Sequence, residues 1–413
     1  MLWFVAALAF GQAGQSKSFY DQVVVRPDPS NGYEDHLRAA DAVNDPAFFR
    51  VWQPQSESDS ADYLQRQKAV VERYGKALEY IRIGDKKQAR NPADPNRAVA
   101  NMPQMTAFLN LPRLCSAEAY VRFADGRSSQ AAQSLIDGLT FCRQIRTGTM
   151  LDYFVGQAGA EILFTRCAEM LPHLSEPDCR SLMAFADAQL AAPEPFVAIL
   201  ATWRASRMAL IPNVLNLKPG QATGDSDQDP AISMISKLSP GERRDVANQV
   251  RDRVTAQFDL CLKRLQGPES QMMTPADQSG PPTISTAADL VDYLSAMMAP
   301  SLPAERILLD RTELRLLGLH ARILGYKWRK GELPSNLREA VPQALVNDPA
   351  TGTDFVYELR GEDSYRLYSR GFGEEGQVEL GHQESRRRGG GMGIPPPSMH
   401  SLKRIEIQTA SLP

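Results

Sequence analysis

Between residues 103 and 211, apolar side chains recur every three or four positions in one segment after another, with a turn signal closing each segment. An amphipathic helix has to cover its apolar stripe, and a short connection makes the next helix the available cover. The stretch "NLPRLCSAEAYVRFADGRSSQAAQSLIDGLTFCRQIRTG" therefore predicts two helices joined at Asp125-Gly126, where glycine suits a left-handed turn. Ala131, Leu135, Leu139 and Cys142 mark the inner face of the second helix. "MLDYFVGQAGAEILFTRCAEMLPHL" supplies a third, with Leu151, Val155, Ala158 and Ile162 as its stripe and Gly156, Ala158, Gly159 and Ala160 permitting close backbone approach. A fourth starts at a Ser175/Asp178 cap and ends before Pro193, and a fifth contributes Ile199, Leu200 and Trp203. The expected fold class is mainly α, built of antiparallel helical hairpins, with a small C-terminal α/β unit.

The Gly126, Ala131, Leu135 spacing resembles one unit of the tetratricopeptide family over a single hairpin. No second copy follows at a period of about 34 residues, so the hairpins are expected to form either such an array or an irregular bundle. The rest of the chain divides around this body. Residues 1–13 ("MLWFVAALAFGQA") read as a signal peptide, too short to span a bilayer. Residues 14–58 are polar and turn-rich and are expected to be irregular. The helical body is assigned to 59–215, opening with a helix carrying Val70, Tyr74, Ala77, Leu78 and Ile81. Residues 216–238 and 266–285 read as linkers with little to bury. Between them, 239–265 predicts one helix packed on the body: Ser239, Pro240 and Glu242 make a helix start, and Val246, Val250, Val254, Phe258 and Cys261 make the stripe. Residues 381–413, with "ESRRRGGGMGIPPPS", read as a disordered tail.

Residues 286–380 form the expected C-terminal unit. A long helix through "AERILLDRTELRLLGLHARILGYKWRKG" carries Leu314, Leu316, Leu317, Leu319, Ala321, Ile323 and Leu324 and ends at Gly331. A short Ser335-capped helix turns Leu337 and Val341 inward, and "FVYELRG" and "SYRLYSRG" predict a β-hairpin around Gly361-Glu362-Asp363. The sequence from the long helix through Gly331, Leu333, Pro334, Leu337, Val341-Pro342, Asp348-Pro349, Gly352 and Tyr357 to Tyr365, Leu367, Tyr368, Ser369 and Gly371 resembles the C-terminal region of type II secretion major pseudopilins. It is also similar to the tail of uncharacterised envelope-associated proteins of planctomycete and acidobacterial kind. The resemblance covers residues 308–372, about a sixth of the chain, and implies a folded envelope protein. The pseudopilin leader-peptidase site and apolar assembly helix have no counterpart at this N-terminus, so pilus assembly is not implied. "GFGEEGQVELG" offers Glu374, Glu375 and Glu379 where pseudopilins can hold calcium, but lacks the aspartate-rich loop and reads as a solvated acidic turn.

Chemistry leaves few traces. The formal net charge of -3 makes no demand for nucleic acid. The five histidines (His36, His173, His320, His382 and His400) form no metal-ligand motif. The five cysteines (Cys115, Cys142, Cys167, Cys179 and Cys261) form no CxxC pair, and Cys167 and Cys179 read either as a bridge or as core residues. Phosphate-loop, dinucleotide and nucleophile-elbow motifs do not occur. Glu161 and Glu169 could share a helix face, as a solvated pair or as an acid and base. No residue is assigned a catalytic, cofactor-binding or metal-binding role. The expectation is a non-enzymatic, exported helical scaffold or interaction protein with a protein partner and no transmembrane span after signal removal. A hydrolase whose site assembles only in three dimensions is the alternative, and an accessory part of a secretion system a weaker one.

Overall fold

A computed structural model describes residues 18–24, 26–45, 47–48, 60–92, 104–216, 230–267, 269, 272, 284–300, 302–371, 378–380 and 382–383. The segment assigned as signal peptide and nearly all of the tail lie outside them. The chain is mainly helical, with a small antiparallel hairpin near its C-terminus.

Three helices make the centre of the first core: α5 (Met105–Ala124), α6 (Ser128–Ile145) and α7 (Met150–Met170), each packed on the other two. To name them in order, α1 (Phe19–Val23), α2 (Gly32–Val43), α3 (Ser60–Arg73) and α4 (Gly75–Asp85) precede them. The turn between α5 and α6 places Gly126 at φ 76°, as the sequence requires. Gly156 and Gly159 explain the tight α5–α6–α7 contact. A Cβ on Gly156 would lie 2.4 Å from the Cys142 carbonyl oxygen, and one on Gly159 would lie 2.6 Å from Pro112. The helix therefore faces inward through Val155, Gly159, Ala160 and Leu163. The stripe expected through Leu151, Ala158 and Ile162 sits at its half-buried margin.

Several boundaries are corrected. Part of the segment expected to be irregular at 14–58 is α2, whose Tyr33, Leu37 and Ala40 are fully buried and recur at helical spacing. Its polar residues, which suggest a loop, are engaged by other parts of the chain: Glu34 and Asp41 by α1 and the loop after it, Asp35 by Lys87 and His36 by Gln144 of α6. The single helix expected near 60–83 is broken at Tyr74, whose hydroxyl donates to Asp45 at 3.0 Å. Past α8 (Glu176–Ala191), the chain enters a second core. α9 (Phe196–Leu215), α10 (Pro230–Lys237), α11 (Pro240–Gln266) and α12 (Ala287–Met298) pack chiefly on one another. α11 starts at the expected Ser239–Glu242 capping box and buries the expected stripe against α9, the last helix of the body assigned to 59–215, and against α12. The presumed linker at 216–238 contains α10, because Ala231, Ile232 and Ile235 give it an apolar face.

α13 (Ala304–Lys330) joins the two cores. Ile307 and Leu308 belong to the second, while Leu309 through Ile323 belong to the first and pack on α8. The C-terminal unit is thus an extension of both cores rather than a separate cap. α14 (Leu337–Ala340) is capped by Asn336 rather than Ser335, which instead donates to Glu339 at 2.5 Å. After α15 (Gln343–Val346), β1 (Val356–Leu359) pairs antiparallel with β2 (Tyr365–Tyr368), Val356 opposite Tyr368. Ser369 bridges to β3 (Val378–Glu379), which pairs with β4 (His382–Gln383); these last two residues were expected in the disordered tail. Three of the motif residues, Asp348, Ser369 and Gly371, meet in one buried knot. Asp348 accepts from the Ser369 hydroxyl at 2.7 Å and from the Ala350 amide at 2.9 Å, and the Ser369 oxygen accepts from the Gly371 amide at 3.0 Å. Those residues hold the hairpin to the loop before it.

Candidate functional site

The two cores meet along a seam of charge. Arg143 and Arg146 come from the last turn of α6 and its C-cap, Tyr153 and Gln157 from the first turns of α7, and Glu194 from the α8–α9 connection. Asp310, Arg311 and Arg315 come from one face of α13, and Glu269 from just beyond α11. A sharp turn at residues 146–149 and the Thr149 capping box start α7 beside the end of α6. That geometry aims the Arg146 side chain across α7 toward α13.

Arg146 donates to Asp310 at 2.6 Å and to the Gly156 carbonyl at 3.2 Å, and its guanidinium lies 5.9 Å from the Tyr153 ring centre. Burial works against its charge, but the Asp310 carboxylate more than offsets this, holding the guanidinium above its ordinary range. Tyr153 donates to Glu194 at 3.2 Å; burial and then the Glu194 charge push its phenol well up. Arg311 reaches Glu194 at 3.5 Å and Glu269 at 2.8 Å, and Arg315 reaches Glu269 at 2.8 Å. Arg143 caps the Ala192 and Pro193 carbonyls at 3.2 and 2.8 Å, and burial lowers its pKa. Gln157 donates to the Arg306 carbonyl at 2.9 Å. Among these groups, Arg143, Gln189, Leu190, Ala192, Glu194, Asp310, Arg311 and Leu314 line a cavity of about 10 Å3, room for roughly one water. Elsewhere, an open hollow of about 460 Å3 runs along the end of α11 past Asp259, Leu262, Lys263, Gln266 and Gly267.

Sequence reading assigned no site residues, yet the fold does gather ionisable groups out of solvent. The partners lie as far apart in the chain as Arg146 and Asp310, so no spacing rule finds them. One local signal exists: Asp310 directly follows the apolar Ile307-Leu308-Leu309 at the start of the long helix's stripe, and a charge on such a stripe asks for a buried partner. The paired carboxylates considered from sequence do not converge. Glu169 bonds Arg166 at 2.5 Å, while Glu161 faces Arg306 at 3.4 Å. His173 lies exposed against the Phe123 ring, and His320, half-buried, hydrogen-bonds the Tyr365 hydroxyl at 2.8 Å. All five cysteines are free and buried, which settles Cys167 and Cys179 as core residues. Glu379 is engaged by Arg366, while Glu374, Glu375 and His400 lie outside the described residues. Among the described residues, no cluster of three or more His, Cys, Asp or Glu could hold a metal, and no helix is long and apolar enough to cross a membrane. No known protein family matches this chain, and no curated protein or solved structure is similar to it.

Proposed function

We propose that this chain is an exported, envelope-associated helical scaffold that works through its surface rather than through a reactive centre. The observation that carries this reading is the engagement of the seam's charges with one another. A catalytic acid or base needs a free lone pair or proton facing a substrate-sized space. Here Asp310 faces Arg146, Glu194 faces Tyr153 and Arg311, Glu269 faces two arginines, and the cavity beside Glu194, Asp310 and Arg311 measures only about 10 Å3. Such an arrangement joins two cores at a defined angle. Large apolar side chains remain in solvent at Phe154, Leu260, Met297 and Trp328, as positions where a protein partner could add contact area.

The reading is tested by affinity capture from envelope fractions, using the wild type, single aspartate substitutions at those four positions, and the seam variant Glu194→Gln. The expected result is a stoichiometric partner held by the wild type and by Glu194→Gln but released by at least one surface variant. Turnover of ester, peptide or glycoside substrates by the purified chain, abolished by Glu194→Gln or Asp310→Asn in a folded protein, would establish the hydrolase instead.

A further inference from the structure

Away from the seam, α2 and α4 cross at two glycines. A Cβ on Gly32 would lie 2.4 Å from the Gly84 carbonyl oxygen, and one on Gly84 would lie 2.6 Å from the His36 ring. Beside this crossing sit two titratable groups, His36 and the half-buried Asp85, whose two carboxyl oxygens are out of solvent. His36 is fully buried, and its Nε2 lies 2.7 Å from the Gln144 side-chain oxygen. Gln144 uses its amide nitrogen to donate to the Asp85 and Lys87 carbonyls, at 3.1 and 3.2 Å, so its oxygen accepts and Nε2 carries the imidazole proton. His36 Nδ1 has no hydrogen-bond partner in the protein, and neither does either carboxyl oxygen of Asp85, although Nε2 is only 3.8 Å from Asp85 Oδ1.

Among the described residues no uncommitted cation faces Asp85, and Arg82, whose charge acts on it, is shared with other carboxylates. From α2 it meets His36, while Asp35 further along that helix is held by Lys87 at 2.5 Å and Arg38 at 2.8 Å. From α6 come Asp137 and Gln144, and from α5 come the Cys115 thiol and Glu118. On its own helix, Arg82 is already bonded to Glu118 at 2.5 Å and Asp137 at 3.0 Å, and Arg122 holds Glu118 at 2.7 Å. A buried carboxylate with no uncommitted cation and no donor is costly, so the site favours the acid form.

We propose that Asp85 and His36 form a proton-gated latch between α2 and α4, closed while Asp85 is a neutral acid and released when it gives its proton to solvent. Burial and then the Asp137 charge push the Asp85 carboxyl up to about 9, and burial pushes His36 down to about 4. Between those values the folded pair keeps one proton, on Asp85. The unfolded pair also keeps one, on histidine, between ordinary pKa values of 3.8 and 6.5, so the latch adds no pH dependence to stability there. From 6.5 to about 9 the folded pair holds a proton that the unfolded pair has lost, so closure weakens as pH rises. Above 9 the new carboxylate lies beside Asp137 and has to reach water. The end of α4 is the element that yields, together with the segment after it, which pins the start of α2. There the Gly32 amide donates to the Gln88 carbonyl at 3.1 Å, and the Asn31 amide nitrogen donates to the Arg90 carbonyl at 2.7 Å.

The test is hydrogen exchange of the full chain across neutral to alkaline pH, corrected for intrinsic rates, with infrared spectroscopy alongside. In the wild type, protection in α2 and in the 75–90 segment should fall about tenfold per pH unit between 6.5 and about 9, the slope of one proton, and level off once Asp85 ionises in the closed state. α11 and α12 should keep theirs. Asp85→Asn should remove that slope, and Asp137→Asn, which takes away a charge that raises the Asp85 carboxyl, should bring the upper end of the slope to lower pH. The infrared spectrum at neutral pH should contain a protonated-carboxyl band that Asp85→Asn removes. A spectrum without that band overturns the proposal, as does an unchanged slope in a folded Asp85→Asn protein. If Asp85→Asn fails to fold, the band and the downward shift of the slope's upper end in Asp137→Asn still decide between the outcomes.

Discussion

Replacing Arg146 with methionine tests what the seam contributes. Methionine keeps much of the apolar stem and removes only the guanidinium. The Arg146 side chain is 4% exposed and the Asp310 side chain 10%, and they meet at 2.6 Å. Removing the cation leaves a carboxylate out of water with its main partner gone, and the Gly156 carbonyl loses a donor as well. Breaking a buried pair in this way costs about 3–5 kcal/mol, whereas replacing both members with apolar groups is near neutral or stabilising. Arg146→Met should therefore lose about 3–5 kcal/mol, and Arg146→Met/Asp310→Leu should recover most of it, a coupling of about 3 kcal/mol. Urea unfolding followed by far-ultraviolet circular dichroism measures both. A loss below about 1 kcal/mol for the single variant, or a double variant at the sum of the two single losses, would refute the reasoning.

Three further outcomes follow from the packing. Gly156→Ala should destabilise by about 1–3 kcal/mol, because its new methyl meets a backbone carbonyl that cannot rotate away. Gly75→Ala, with open space around it, should stabilise by about 0.5–1 kcal/mol; a denaturant melt in which Gly156→Ala is as stable as the wild type would contradict the α6–α7 contact. Burial pushes His320 from 6.5 down to about 4, so the unfolded chain takes up this proton first and stability should fall as pH drops from 6.5 toward 4. The loss is at most about 3 kcal/mol, less because the ring is half-buried, and thermal melts of His320→Gln should show a shallower acid slope. The thiols of Cys115, Cys142, Cys167 and Cys179 are buried and pushed up by that burial, so a thiol reagent should leave them unlabelled in the native protein and label them in denaturant. Rapid native labelling of any of these four would contradict the assignment.

Much of the fold is legible because local rules and packing agree. The Ser239 box, the Gly126 turn, the α11 stripe and the hairpin around 361–363 each follow from a few neighbouring residues. What is not legible is which stripe covers which. α9 and α11 have the same kind of face as α5 and α6, and nothing local says that they form a core of their own. α2 was missed because its polar residues resembled a loop. Glu34 accepts from the Tyr20 hydroxyl and the Asp28 amide, Asp35 pairs with Lys87, and His36 lies against Gln144, all through residues elsewhere in the chain. The seam was missed for the same reason: its ion pairs connect positions up to 164 residues apart. Only Asp310, directly after the apolar Ile307-Leu308-Leu309, hinted at them.

The account rests on the seam being a closed joint between two cores, and an electron-density map of that region is its most direct test. It predicts Arg146 on Asp310, Arg311 and Arg315 on Glu269, and space for about one water among them. A substrate-sized cleft there, with Glu194 or Asp310 turned into it and free of arginine, would contradict it.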